Sequence, residues 1–315
     1  MKKRISGIGR IYWQLSMPFW SLLIFSFIAI VGLVAFATHN QNKNAVESSI
    51  HLAKAILASN DTNMRQIVYD NGYWDQAVEN LVRNPDAGWA DENVGSYLYD
   101  NAQMTSTFVI DGDNKPVFSF TEGELVKDDP VENFSGGIDI LIARAKEGKA
   151  SEKPIPASGF LMREGKAHFA SMVVLTTYKT LDGEEVSKRT DSLFMLTRKI
   201  DETFLKNLST TYLLTNIKTV FSNVGSPTAS IPVVTVDGAN IATLAWEPDL
   251  PGNQILPVLV IGIIGIFLLM AGTAYVFMSR AKDVAFWLSD AKKQADDANQ
   301  AKSEFLANMS HELRT

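Results

Sequence analysis

Two charge-free apolar runs most limit what this chain can fold into, because each must be hidden from water along its whole length. No Asp, Glu, Lys or Arg lies between Arg10 and Lys43, and Pro18 to Ala37 is almost wholly apolar. The second run, Ile255 to Met278, is equally free of charge. A helix needs about 20 apolar residues to cross a hydrocarbon core of about 30 Å, and both runs reach that length. Lys2, Lys3, Arg4 and Arg10 precede the first run with no acid among them, and Arg280 and Lys282 follow the second. Excess Lys and Arg mark the cytoplasmic side. A multi-pass protein of the cell inner (plasma) membrane is therefore expected, with both termini cytoplasmic and residues 39–254 outside. Tyr12, Trp13, Trp20, Tyr275 and Trp287 stand near the run ends, where aromatic rings suit the membrane interface. Ala35-Phe36-Ala37 has the small-residue pattern of a signal-peptide cleavage site. Signal h-regions span only about 7–15 residues, however, so an uncleaved anchor is expected.

The chain contains no cysteine, which excludes disulfides and thiolate metal sites. Its net charge is −6. The first ten residues are basic and residues 279–315 balance six bases against six acids, so the segment outside the membrane carries the acidic excess. A nucleic-acid partner is not expected there. His51 and His168 stand apart from other residues at metal-ligand spacing, and no metal is expected. Gly136-Gly137 precedes a helical pattern but lacks the Lys-Ser/Thr of a phosphate loop.

Residues 39–70 contain neither Gly nor Pro, and Val46, Ile50, Ala53, Leu57, Met64, Ile67 and Val68 recur near a helical period. One long helix should continue from the first run to about Asn71-Gly72. A second helix is predicted over Tyr73 to Val82, then a loop holding Gly88 and Trp89. Thr107 to Ile110 and Val117 to Phe120 flank Asp111-Gly112-Asp113-Asn114, a hairpin signature. Further strands are predicted at Gly159–Arg163, Ala167–Thr176, Asp191–Arg198, Thr219–Ser222, Ser230–Val236 and Ala239–Trp246. Helices are predicted at Ile138–Lys146 and after the N-cap residue Asp201. A long helix feeding an antiparallel sheet is an α+β plan of PAS or Cache type. Trp74 and Asp75 are candidate ligand-binding residues, an aromatic wall beside a carboxylate. More often such a Trp packs a helix onto the sheet and such an Asp caps or hydrogen-bonds a loop.

Beyond the second run, Val284, Leu288, Ala291, Ala295, Ala298, Lys302, Phe305 and Met309 recur in steps of four and three. That heptad seam predicts a parallel two-stranded coil, weakened by its alanines and lysine. At about 100° per residue, His311 points away from the seam and Thr315 shares its face. A neutral imidazole, with an ordinary pKa of about 6.5, is nucleophilic at neutral pH, and the neighbouring Glu312 can hold its ring proton. Taken alone, His311 reads as a solvated histidine on a polar face.

Two resemblances sharpen this reading. Ser303-Glu304-Phe305-Leu306-Ala307-Asn308-Met309-Ser310-His311-Glu312-Leu313-Arg314-Thr315 resembles the H-box of sensor histidine kinases. The resemblance implies that His311 accepts a phosphoryl group from ATP, that Glu312 orients or deprotonates it, and that Thr315 matches a position tied to phosphatase activity. Tyr69-Asp70-Asn71-Gly72-Tyr73-Trp74-Asp75, Phe108-Val109-Ile110-Asp111 and Leu244-Ala245-Trp246-Glu247-Pro248-Asp249-Leu250-Pro251-Gly252 resemble the fourth type of CHASE extracellular sensor domain, over most of residues 60–252.

Together these predict a cytoplasmic N-terminus (1–10), a transmembrane helix (11–38), a periplasmic CHASE-type sensor domain (39–254), a second transmembrane helix (255–278), a cytoplasmic signalling helix (279–301) and a truncated start of the phosphoacceptor domain (302–315). The expected function is the sensor portion of a two-component histidine kinase, carrying a periplasmic signal to His311 and a phosphorelay. The expected partners are a second copy in a homodimer, a response regulator or receiver domain, membrane lipid and a periplasmic ligand. No cofactor is expected within the chain; ATP with Mg belongs to a catalytic domain that the chain lacks. The alternatives are a non-enzymatic membrane receptor or dimerisation module, and the sensor of a cyclic-di-GMP enzyme.

Overall fold

In the computed structural model of the chain, residues 2–150, 152–181, 184–220 and 229–312 are described, side chains excepted at 2–15, 179–181, 184–185, 307–308 and 310–312. The chain forms two compact units: Asn44–Asp249, and Met1–Lys43 with Leu250–Thr315.

Helix α1 spans Lys2–Gly72, 71 residues. The expected single helix over Tyr73–Val82 is instead a short α2 (Asp75–Val78) that widens into a π turn at Glu79–Arg83. The expected loop around Gly88 and Trp89 is helical, as α3 (Ala87–Ala90), a π turn at Asp91–Gly95 and α4 (Ser96–Ala102). Asp86 makes this possible: its carboxylate caps α3, accepting from the Gly88 and Trp89 N–H groups at 2.9 and 3.1 Å.

The hairpin forms as β1 (Ser106–Ile110) and β2 (Pro116–Thr121), followed by β3 (Glu124–Leu125). Asn114 supplies the left-handed turn residue (φ 63°), and Asp111 Oδ1 accepts from the Lys115 N–H at 2.8 Å. After α5 (Pro130–Asn133) and α6 (Ile138–Lys146) come β4 (Ala157–Arg163), β5 (Lys166–Leu181) and β6 (Glu184–Lys199). The six strands are ordered β3-β2-β1-β6-β5-β4, with antiparallel neighbours. The β5–β6 ladder extends beyond the predicted strands, from Thr176↔Arg189 to Leu181↔Glu184.

Both faces of the sheet are covered. Val109, Val173, Leu175, Phe194 and Leu196 pack with Met64 and Val68 of α1 and with the α2–α4 segment. The alternate residues Phe108, Met172, Val174, Leu193 and Met195 pack with Phe134 and with Leu141 of α6. All five residues of β1 are buried, as a central strand requires.

Asp201 caps α7 (Glu202–Tyr212), accepting from the Phe204 N–H at 2.9 Å. A second sheet follows, ordered β7-β9-β8, from β7 (Thr215–Val220), β8 (Ala229–Val234) and β9 (Asn240–Glu247). Ser222, placed in a strand by the sequence, lies outside the described residues. Trp246 is buried here with Ala53 and Ile56 of α1, and its indole N–H donates to Ser49 Oγ at 3.2 Å.

The last helix, α8, spans Pro251–Glu312, 62 residues. Pro251 sits at its first position, where a missing N–H costs nothing. Within the unit formed by the chain ends, Asn42 Oδ1 accepts from the Gly252 N–H at 2.9 Å and Asn42 Nδ2 donates to Asn253 Oδ1 at 2.8 Å. Phe27 and Phe267 meet edge to face, with centroids 4.9 Å apart. Both helices are long and apolar enough to cross a membrane. The architecture is thus mixed helix and sheet, with two long apolar helices flanking a sheet-rich domain.

Gly72 ends α1 against the sheet, and a Cβ there would stand 2.2 Å from Val173 Cγ1. Gly72→Ala should destabilise the sheet domain by about 1–3 kcal/mol through overpacking. Denaturant midpoints followed by tryptophan fluorescence would measure this.

Candidate functional site

The end of α4, the start of β1, Glu122 and the first turns of α7 enclose a cleft of about 380 Å³, the size of small-molecule sites. Its deepest cation is Arg198, near the end of β6. The Arg198 Nε donates to Gln103 O at 3.3 Å and Nη2 to Ala102 O at 2.5 Å. No ion pair to Arg198 exists among the described residues. Burial holds its pKa below the ordinary arginine value, the direction expected for a desolvated cation without a counter-charge. Its stem lines a small apolar pocket with Leu57 and Met64 of α1, Phe169 and Phe204.

The cleft backbone is held in uncommon conformations. Gln103 ends α4 at φ 55°, its N–H donating to Tyr99 O at 3.1 Å. Glu122 follows β2 at φ 53°, its N–H donating to Thr105 O at 2.8 Å. Non-glycine residues in this region cost energy and concentrate at ligand sites. The walls carry opposite charges, Arg198 and Lys199 against Asp100, Glu122 and Asp201, with Tyr99 and Phe204 as aromatic surface.

Trp74 and Asp75 lie elsewhere. Trp74 is half-buried, packs on the core beneath α1, and meets Trp89 with ring centroids 5.1 Å apart. Asp75 is exposed, and its Oδ1 accepts from the Tyr178 N–H at 2.8 Å, tying α2 to β5. The cleft wall includes neither residue. His168 sits on β5, buried, edge-on to Phe134 at 5.4 Å, and its Nδ1 has no hydrogen-bond partner. Burial, then the Arg163 and Lys199 charges, pull its pKa down to about 4. Among the described residues, no cluster suits a metal ion.

At the other end of the chain, the α8 backbone continues through His311 to Glu312. The side chains of His311 and Glu312, and Thr315 entirely, lie outside the described residues. Val284, Leu288, Phe305 and Met309 of the predicted seam are exposed in the single chain.

A family model for the CHASE4 domain matches residues 56–219, over half of the sequence. This chain belongs to the CHASE4 domain family. The CHASE4 match takes in the outer part of α1, the whole six-stranded sheet, α7 and most of β7. It ends before Leu244–Gly252, the third stretch of family-like sequence. No curated protein matches the chain. Among solved structures, a domain of a sensory box/GGDEF family protein from Vibrio parahaemolyticus is similar at 10% identity and TM-score 0.37, covering 60% of this chain and 73% of that one. The extracellular domain of a protein named as a histidine kinase, vpHK1S-Z8, is similar at 12% identity and TM-score 0.36, covering 60% and 71%.

The cleft was not legible in the sequence, since its walls come from three separated segments. Arg198 was visible only as the end of a strand, and Asp201 only as a helix cap.

His168 gives the CHASE4 domain a defined pH response. The unfolded chain takes up this proton near pH 6.5, whereas the folded chain resists it to about 4. The contribution is full above 6.5 and is lost as the pH falls through that window, by about 3 kcal/mol at most. His168→Leu should flatten the loss of stability between pH 7 and pH 4, measured by denaturant titration at each pH.

Proposed function

We propose that this chain is the sensing and signal-passing part of a two-component histidine kinase, with His311 as its phosphoacceptor. The observation that carries the reading is the order of parts along one chain. A CHASE4 domain lies between two apolar helices, and the second helix leads through a weak heptad seam into Ser303–Thr315, the block holding His311. In this reading the sheet domain is a PAS- or Cache-like sensor in the periplasm (39–254), bounded by inner-membrane spans at 11–38 and 255–278. Residues 279–301 form the cytoplasmic signalling helix, and 302–315 open the phosphoacceptor domain. A homodimer pairs the seam from Val284 to Met309, leaving His311 outward for a catalytic domain that carries ATP and Mg. A response regulator or receiver domain takes the phosphoryl group onward.

The chemistry asks little of this chain. His311 attacks the γ-phosphoryl as a neutral imidazole, the bond to the bridging oxygen breaks and ADP leaves, Glu312 accepts or orients the ring proton, and Thr315, four residues on in sequence, matches a position tied to phosphatase activity.

Supplied with a histidine-kinase catalytic domain and Mg-ATP, the chain should gain acid-labile, base-stable phosphate on His311. His311→Gln should abolish the label, and Glu312→Gln should slow it by about 100-fold or more if the carboxylate is the base. Label that persists in His311→Gln contradicts the reading.

A further inference from the structure

We propose that the cleft at Arg198 binds a small zwitterion, its carboxylate on the Arg198 guanidinium and its cationic group facing Asp100 and Glu122. The guanidinium has five N–H donors, and protein carbonyls hold Nε and one N–H of Nη2. What remains is the end-on fork of Nη1 and Nη2, the geometry that grips a carboxylate with two parallel hydrogen bonds. A desolvated cation without a counter-charge gains most from an anion that arrives with the ligand.

The rest of the wall narrows the class. Asp100, Glu122 and Asp201 outnumber Arg198 and Lys199, so a polyanion such as phosphate or citrate would enter against an acidic excess. A simple cation would leave Arg198 unpaired. Opposite charges on one short frame satisfy both sides, and about 380 Å³ admits such a molecule with its apolar part against Tyr99 and Phe204. Asp201 is already committed to capping α7, which leaves Asp100 and Glu122, both exposed at the rim, for the cationic group.

Occupancy would act close to α1. Arg198 also lines a small apolar pocket together with Leu57 and Met64 of that helix, so a ligand that draws the guanidinium into the cleft changes a pocket that α1 helps to form. The inference rests on the sensor reading of the CHASE4 domain and not on the kinase output. A failure to bind would leave phosphorylation of His311 standing, and the reverse also holds.

The test uses the full chain in lipid nanodiscs, with the proteinogenic amino acids and glycine betaine added one at a time. Acetate, succinate and inorganic phosphate serve as comparisons. At least one zwitterion should raise the melting temperature and bind by calorimetry with Kd at or below about 1 mM. Asp100→Asn and Glu122→Gln, at exposed positions, should keep the ligand-free melting temperature and weaken binding about tenfold or more. Arg198→Lys, which keeps the charge and loses the fork, should weaken it at least as much. The proposal is overturned if no zwitterion binds at about 10 mM. It is equally overturned if acetate or phosphate binds as well as any zwitterion, or if all three variants bind like the parent.

Discussion

The outer half of α1 is the seat on which the whole sheet domain rests. It contributes to three of the four hydrophobic cores: Met64 and Val68 under the six-stranded sheet, Ala53 and Ile56 under the three-stranded one, and Leu57 between the sheets. Polar contacts fix its register. Asp61 accepts from Ser158 Oγ of edge strand β4, and Arg65 Nε donates to the same hydroxyl at 2.7 Å. Gly72 brings the helix end to within contact of Val173 and Phe194, closer than any side chain would allow. Packed interiors transmit displacement because they cannot compress. Both sheets of the Asn44–Asp249 unit thus pack on the same stretch of α1, a helix that runs from Lys2 to Gly72.

Arg198 ties chemistry to that seat. Most buried charges are paired, since desolvation costs several kcal/mol per ion. Among the described residues Arg198 is given only two backbone carbonyls, and it lines both the cleft and the small apolar pocket shared with α1. The two left-handed residues beside it, Gln103 and Glu122, are each fixed by backbone hydrogen bonds. A site held this way is ready-formed, so little ordering cost opposes a ligand. His168, on the same sheet, shows the contrasting solution. Its charge is refused rather than paired, and it stays neutral inside the core.

Where pattern and chemistry were local, the fold was legible in the sequence. The apolar runs, the α1 terminus at Asn71-Gly72, the Asp111–Asn114 hairpin, helix Ile138–Lys146 and the Asp201 cap each depend on residues within one or two turns of each other. The segment from Trp74 to Ala102 was less legible. Its helices are only a turn or two long and widen into π turns, so apolar spacing never settles into one period. The ends of β5 and β6 also ran past their predicted limits, because the buried residues there, Thr176, Thr177 and Ser187, are polar and give no apolar alternation to read. The cleft was hidden for a related reason. Tyr99, Glu122, Arg198 and Asn207 are ordinary surface residues in sequence, and only the topology β2-β1-β6 followed by α7 brings them to one place. The Ser303–Thr315 block is the reverse case, proposed wholly from a short unbroken motif.

The central claim is that one chain holds a sensor sheet on one side of a membrane and His311 on the other. The chain has no cysteine, so single cysteines report position without background. Asp113→Cys, in the exposed β1–β2 turn, and Asp297→Cys, on the exposed face of α8, can be challenged in intact spheroplasts with a membrane-impermeant maleimide. Asp113→Cys should label at once, and Asp297→Cys only after the membrane is permeabilised. Immediate labelling of Asp297→Cys, or protection of Asp113→Cys, would contradict it.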